Sequence, residues 1–477
     1  MTTPKHLVVR PVHEEVKDHL KSYNYTIKKL SELTKINIGY LSSFLRGCPR
    51  WALTVDQLNA IGRAFEKPMG WLYDSYADEY FKRETISVKQ VKAFLITCAE
   101  IGKYDCIQLV LPRLLKKTKY INVLFDVAEQ LFYKGRQKES VYFYQLVVDN
   151  EKIKYRERFT MSHFRLFQIL EKETNEALWK SVVSFEPFRK GLSKYLQLDA
   201  FLQIGSHYRK LHKWEEVGKY SDELMELANL IFNQELFKKK QDNSEGVEMF
   251  NQERHLVIYY GEAFLLKAES LEKQGLYEQA KEFLSSYGNL SRFELVDKSG
   301  KLEIEKFRKL ALINMCRLDI LIGNTTILAD FVEYLEEHPD ELLSSLVTII
   351  ESANIHGFLI DTILKRFSVE INSFHNYHDL INVERHLQFR YQLAVYNFTN
   401  KRPNSGVTEI LKGMTLSTVL DSSKDLLRCV ALFEAYRYLA SPQQEREFKR
   451  ILEEVMIDER LSGPSQPANQ ERPITKH

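Results

Sequence analysis

From Asp78 to Arg460 apolar residues recur at i, i+3 and i+4 with little interruption, and a chain patterned in this way buries them by packing helix against helix. Glycine and proline, the usual breakers of that pattern, number 19 and 12 in 477 residues. No clear run has the period of two that a half-buried strand needs. The pattern divides into units of two helices and a short connection, at 86–116, 119–150, 155–190, 194–232, 252–287, 302–337, 341–368, 379–413 and 422–456. Roughly thirty to forty residues per unit is a solenoid period. The expectation is an all-α chain.

Several of the turns share a spacing: a turn residue, a small or aliphatic residue five positions later, and a bulky one four beyond that. Gly275, Ala280 and Leu284 carry it, as do Gly135, Ser140 and Tyr144, and Gly102, Ile107 and Leu111. His212, Val217 and Ser221 keep the spacing without the glycine. The small residue lets the second helix approach the first, and the bulky one fills the gap to the next pair. The step from Gly102 to Gly135 is 33 residues, about one repeat. Together these turns resemble those of tetratricopeptide arrays, in degenerate form.

A different pattern precedes them, in Tyr25–Gly47, YTIKKLSELTKINIGYLSSFLRG. Thr26 is placed to cap a first helix that buries Leu30 and Leu33. Lys35-Ile36-Asn37 makes a turn, with Ile36 pointing inward and Asn37 capping a second helix. Leu41 and Phe44 share one face of that helix, and Gly47 sits where a left-handed stop is needed. Ile38, Gly39, Ser42, Ser43 and Arg46 are left on the other face. A short helix packed on one side, with small polar residues and an arginine on the other, can enter a major groove.

From Tyr25 to about Leu72 these residues resemble the Cro/cI-type (XRE) helix-turn-helix domains, without a gap. The family's turn spacing appears as Leu30 and Ile36-Asn37, its Tyr-Leu-Ser as Tyr40-Leu41-Ser42, and its closing Arg-Gly as Arg46-Gly47. Its next helix appears as Thr54-Val55, Leu58 and Ile61-Gly62-Arg63-Ala64-Phe65, and Glu14–Ser22 supplies the first. Three positions depart from the family: Ile27 replaces a frequent phosphate-contacting Gln, Lys35 the usual turn Gly, and Leu45 a Glu that commonly pairs with an Arg. From their exposed positions on the helix pair, Asn37, Gly39, Ser42 and Ser43 are expected to approach base edges, and Lys28, Lys29, Tyr40, Arg46 and Arg50 to approach phosphates.

An XRE-like domain followed by a tetratricopeptide-like array is similar to the RRNPP-type regulators of Gram-positive bacteria and their phages. Only the first fifty or so residues of the resemblance rest on a motif; the remainder is architectural. It implies a homodimer on double-stranded DNA whose array binds a short signalling peptide that alters DNA binding. The contrasting expectation is a scaffold that holds a protein partner through the array. The segmentation expected is a DNA-binding domain at 1–76, a helical connector at 77–84, a repeat domain at 85–460 and a disordered tail at 461–477. Lys238–Gly246 is expected as an exposed loop within the array.

Charge agrees with that division. Residues 1–75 hold 11 Lys and Arg against 7 Asp and Glu, while the whole chain is only +2. The positive excess accompanies the helix-turn-helix, where phosphate neutralisation needs it. The five cysteines, Cys48, Cys98, Cys106, Cys316 and Cys429, form no CxxC pair and suit reduced thiols. No stretch is apolar enough for a signal peptide or a membrane span, so a cytoplasmic protein is expected.

Catalytic and metal motifs are scarce. The sequence contains no GxGxxG, GxxxxGK or HExxH, and no Cys or carboxylate motif surrounds the pair His375-x-x-His378. Neither an enzyme activity nor a cofactor is expected. A groove for an extended peptide needs polar side chains among apolar first helices to satisfy the peptide backbone. His163, Arg165, Gln203, His207, Asn314, Arg317 and Asn354 are the residues of that kind.

Overall fold

The computed structural model describes residues 10–48, 52–83, 86–152, 157–169, 175–242, 255–285, 290 and 298–462. Among these residues the regular structure is helical, with no strand. None of the helices is long and apolar enough to cross a membrane. The chain divides into two compact units, Met1–Asn243 and Ser244–His477.

The first unit opens with five short helices, α1 (Val12–Ser22), α2 (Ile27–Thr34), α3 (Ile38–Leu45), α4 (Val55–Ala64) and α5 (Tyr73–Tyr80). Four helix pairs follow: α6 (Val88–Glu100) with α7 (Tyr104–Leu114), α8 (Lys119–Tyr133) with α9 (Gln137–Asn150), α10 (Glu157–Ile169) with α11 (Asn175–Phe185), and α12 (Lys194–Lys210) with α13 (Trp214–Asp242). The pairs fall where the periodicity puts them, except that α13 runs on to Asp242. Residues 238–242, expected as loop, are therefore helix; the rest of that segment lies outside the described residues.

The turns explain why the pairing is so regular. Gly102 and Gly135 stand at φ 75° and 77°, and His212 reaches the same left-handed region at 54°. The residues spaced after them, Ile107, Ser140, Tyr144, Val217 and Ser221, are fully buried between the helices of each pair. Cys98 and Cys106 are buried free thiols, packed as small apolar residues.

The five N-terminal helices do not stand apart from these pairs. One core cluster runs from Val12 to Val147. Tyr73, Tyr76 and Phe81 each meet the ring of Phe94 on α6, at centroid distances of 5.4, 5.7 and 5.2 Å. Gln90 of α6 accepts a hydrogen bond from the backbone of Val55, and Lys103 and Cys106 reach Asp74 at 3.1 and 3.2 Å. Ala77, Tyr80 and Phe81, in the stretch expected as a connector, are buried. Their apolar area belongs to the core and is not a solvated tether.

The second unit contains α14 (Leu256–Lys273) with α15 (Tyr277–Ser285), α16 (Lys298–Leu321) with α17 (Leu328–Glu337), α18 (Leu342–His356) with α19 (Asp361–Arg366) and α20 (Ser368–Ser373), α21 (Leu380–Thr399) with α22 (Pro403–Val419), and α23 (Ser423–Tyr436) with α24 (Pro442–Ser462). Gly275 turns at φ 76°, and Ala280 and Leu284 are buried. First helices contact one another in succession, α14 on α16, α16 on α18, α18 on α21. The partner of α18 is broken at Phe367 into two short helices. Leu461 and Ser462, expected in the tail, end α24; the remainder of the tail lies outside the described residues.

A buried ionic cluster joins α21 to α22. Arg390 donates to Glu409 at 2.8 Å, to His386 Nε2 at 2.8 Å and to the carbonyl of Ile371 at 3.2 Å. Accepting at Nε2 requires a neutral imidazole. Burial, and then the Arg390 charge, push His386 from its ordinary 6.5 down to about 4, with His375 and Lys412 adding to the effect. Between those two pH values the unfolded chain binds the proton and the folded chain does not. The contribution of His386 is therefore complete above pH 6.5 and is lost as pH falls towards 4. The expected loss is on the order of 3 kcal/mol. Urea denaturation followed by far-UV circular dichroism at pH 7.5 and 4.5 should show a larger drop for the parent than for His386→Gln, which keeps an acceptor but does not titrate.

Candidate nucleic-acid interface

Helices α2 and α3 are built by their caps. The Thr26 side chain accepts from the backbone of Lys29 at 3.2 Å, and Asn37 Oδ1 accepts from Gly39 and Tyr40 at 2.8 and 3.3 Å. Between them Lys35 takes a left-handed conformation, φ 55°, where many helix-turn-helix domains use glycine. Two side chains hold that turn: Ser31 donates to the carbonyl of Ile36 at 2.6 Å and Thr34 to that of Leu30 at 2.7 Å. Leu30, Ile36, Leu41 and Phe44 are buried, and Gly47 ends α3 at φ 76°.

One expectation is corrected. Leu33 is 46% exposed, and Thr34 takes the inward place beside Leu30. An i, i+4 pair shares a helix face more closely than an i, i+3 pair, and the hydroxyl of Thr34 is satisfied by its own helix. Two of the three positions that depart from the helix-turn-helix resemblance have plain packing roles. Leu45 is buried, and Ile27 packs half-buried against the core.

Of the residues expected at DNA, Lys28, Lys29, Asn37, Gly39 and Arg46 are exposed, and Tyr40, Ser42 and Ser43 are half-buried on the same helix pair. Arg46 lies 3.5 Å from the Ser43 hydroxyl. Tyr40 donates its hydroxyl proton to the carbonyl of Ala52 at 2.6 Å, and burial raises its phenol further from ionisation. That proton is directed inward, so Tyr40 ties α3 to Ala52 and does not offer its hydroxyl proton to a phosphate. Arg50 lies outside the described residues. Three cations flanking the N-terminal helices are paired, Arg10 with Asp18, Lys82 with Asp78 and Arg83 with Glu79.

The residues expected to line a peptide groove fall into two sets, one in each unit. In the first, Arg165 is held by Glu129 at 3.2 Å, Tyr133 at 2.7 Å and Gln168 at 2.9 Å, and lies over the Phe132 ring. His163 stacks on Phe188, and burial lowers its pKa; His207 is fully buried against Phe167. Gln203 has a buried side-chain oxygen with no hydrogen-bond partner among the described residues. In the second unit, Arg317 contacts Thr348, Asn314 and Glu272, and Asn354 donates to Gln392 of α21. Most of these side chains tie one helix to the next.

The second unit also contains an open cleft of about 200 Å³, lined by α14, α18, α21 and α23 through Lys273, Glu351, Gln388, Gln392, Asp425 and Arg428 among others. None of the seven residues expected in a groove lines it. Gln388 and Gln392, one turn apart on α21, are the signal of this cleft in the sequence, a spaced pair of amides where the expected groove residues are isolated.

No family model matches the chain, and no curated protein matches it. Among solved structures it is similar to a circular tandem repeat protein with novel repeat topology and enhanced subunit contact surfaces. The identity is 13%, over 94% of this chain and 88% of that one, with a TM-score of 0.13. At that score the likeness supports nothing about fold or function.

Proposed function

We propose that the chain is a sequence-specific DNA-binding regulator, dimeric on its operator, whose helical repeats sense a ligand. The observation that carries the reading is the capped α2–turn–α3 pair, with Asn37, Gly39, Ser42 and Ser43 outward and Lys28, Lys29 and Arg46 exposed around them. Such a face positions on phosphates and reads bases through the first turns of the second helix. One recognition helix spans few base pairs, so a dimer on half-sites roughly 34 Å apart is expected. The core shared between the N-terminal helices and α6 to α9 favours a head that moves with the adjacent repeats. A peptide in the cleft of the second unit, its backbone met by Gln388 and Gln392, is the ligand proposed, and coupling to DNA should be reciprocal, typically 1–3 kcal/mol.

The test is duplex binding by the full chain across salt concentrations. Specific binding with a steep salt slope is expected, and Ser43→Phe should weaken specific binding by roughly tenfold or more, with far less effect on random duplex. Equal loss on both, or no binding by the parent, would reject the reading. A scaffold for a protein partner predicts no specific duplex binding.

A further inference from the structure

Ile38 is the residue of α3 that the polar account leaves unexplained. It follows the Asn37 cap, in the first turn of the helix, and is 48% exposed. Gly39 beside it has no side chain to cover it, and Ser42, one turn on, is short. A branched aliphatic side chain is thus held at the leading end of a helix whose other outward residues are small and polar. The first residues of a recognition helix are those that meet base edges.

Isoleucine has no donor or acceptor, so it cannot read the hydrogen-bonding pattern of a base pair. The major groove presents one apolar group, the C5-methyl of thymine. Building on the DNA reading above, we infer that Ile38 is a specificity residue that recognises a thymine methyl in each half-site. The neighbouring cap sharpens the preference. Asn37 uses Oδ1 on the backbone of Gly39 and Tyr40, so only its Nδ2 protons remain for DNA. A donor beside an apolar group matches thymine, whose O4 accepts next to its methyl, better than it matches cytosine, which presents a donor there.

The experiment uses the full chain and a duplex selected by it from a randomised pool. Each thymine of the selected site is replaced in turn by deoxyuridine, which lacks only the methyl. One position per half-site should lose roughly three- to fivefold in affinity, the effect of one buried methyl. Ile38→Ala should bind the thymine duplex more weakly by a similar factor and no longer distinguish dT from dU there, and Ile38→Val should retain part of the distinction. Because Ile38 is half exposed, circular dichroism of these variants should match the parent. A parent indifferent to every dU replacement, or an Ile38→Ala protein that still discriminates at the same position, overturns the inference and leaves DNA binding standing. If no duplex is enriched, the DNA reading falls with it, and exposed Leu33 and Ile38 would instead belong to a protein contact.

Discussion

Glu409→Ala should destabilise the second unit by about 3–5 kcal/mol, the cost of leaving a buried charge without its partner. Arg390 and Glu409 are almost wholly removed from solvent, with side-chain exposures of 8% and 12%. Once Glu409 is gone, Arg390 retains only neutral acceptors, His386 and the carbonyl of Ile371. The double variant Arg390→Met, Glu409→Leu removes both charges and should recover much of the loss, because a paired buried charge contributes little net stability over apolar residues of similar size. The check is urea denaturation followed by far-UV circular dichroism. All four tryptophans precede residue 244, so their fluorescence reports the first unit in the same titration. A single variant within 1 kcal/mol of the parent would mean that the cluster is not closed to water.

The second large effect concerns the helix-turn-helix. Lys28→Glu, Lys29→Glu and Arg46→Glu together should reduce duplex affinity at least a hundredfold at moderate salt, for specific and random sequences alike. Each lost phosphate contact removes about 0.9 from the salt slope, so the slope should fall by roughly 3. All three residues are exposed, so the helices should keep their stability. An unchanged slope would move the phosphate-binding surface elsewhere on the chain.

The periodicity of the sequence was enough to locate most helix pairs, because the left-handed turns and the small residues five positions later are local demands. His212 shows that the spacing outlasts the glycine: its φ of 54° serves the same turn. The caps at Thr26 and Asn37 were legible for the same reason. What was not legible depends on distant partners. Ala77, Tyr80 and Phe81 look like a charged connector until Phe94 is placed beside them. Arg165 looks like a groove residue until Glu129, 36 positions earlier, is seen to hold it. A polar residue on an apolar helix face satisfies either a neighbouring helix or a ligand, and sequence spacing does not separate the two. Ile38 was legible as an outward residue, but without its exposure it had no assigned purpose.

DNA reading by the outward face of α3, as proposed above, makes one outcome decisive. The check is selection of duplexes from a randomised pool by the 477-residue chain. The expected result is enrichment of an inverted repeat whose half-site centres lie about one helical turn, or a small multiple of it, apart. A pool that returns unenriched, or one enriched equally by the Lys28, Lys29 and Arg46 charge-reversal variant, would contradict it.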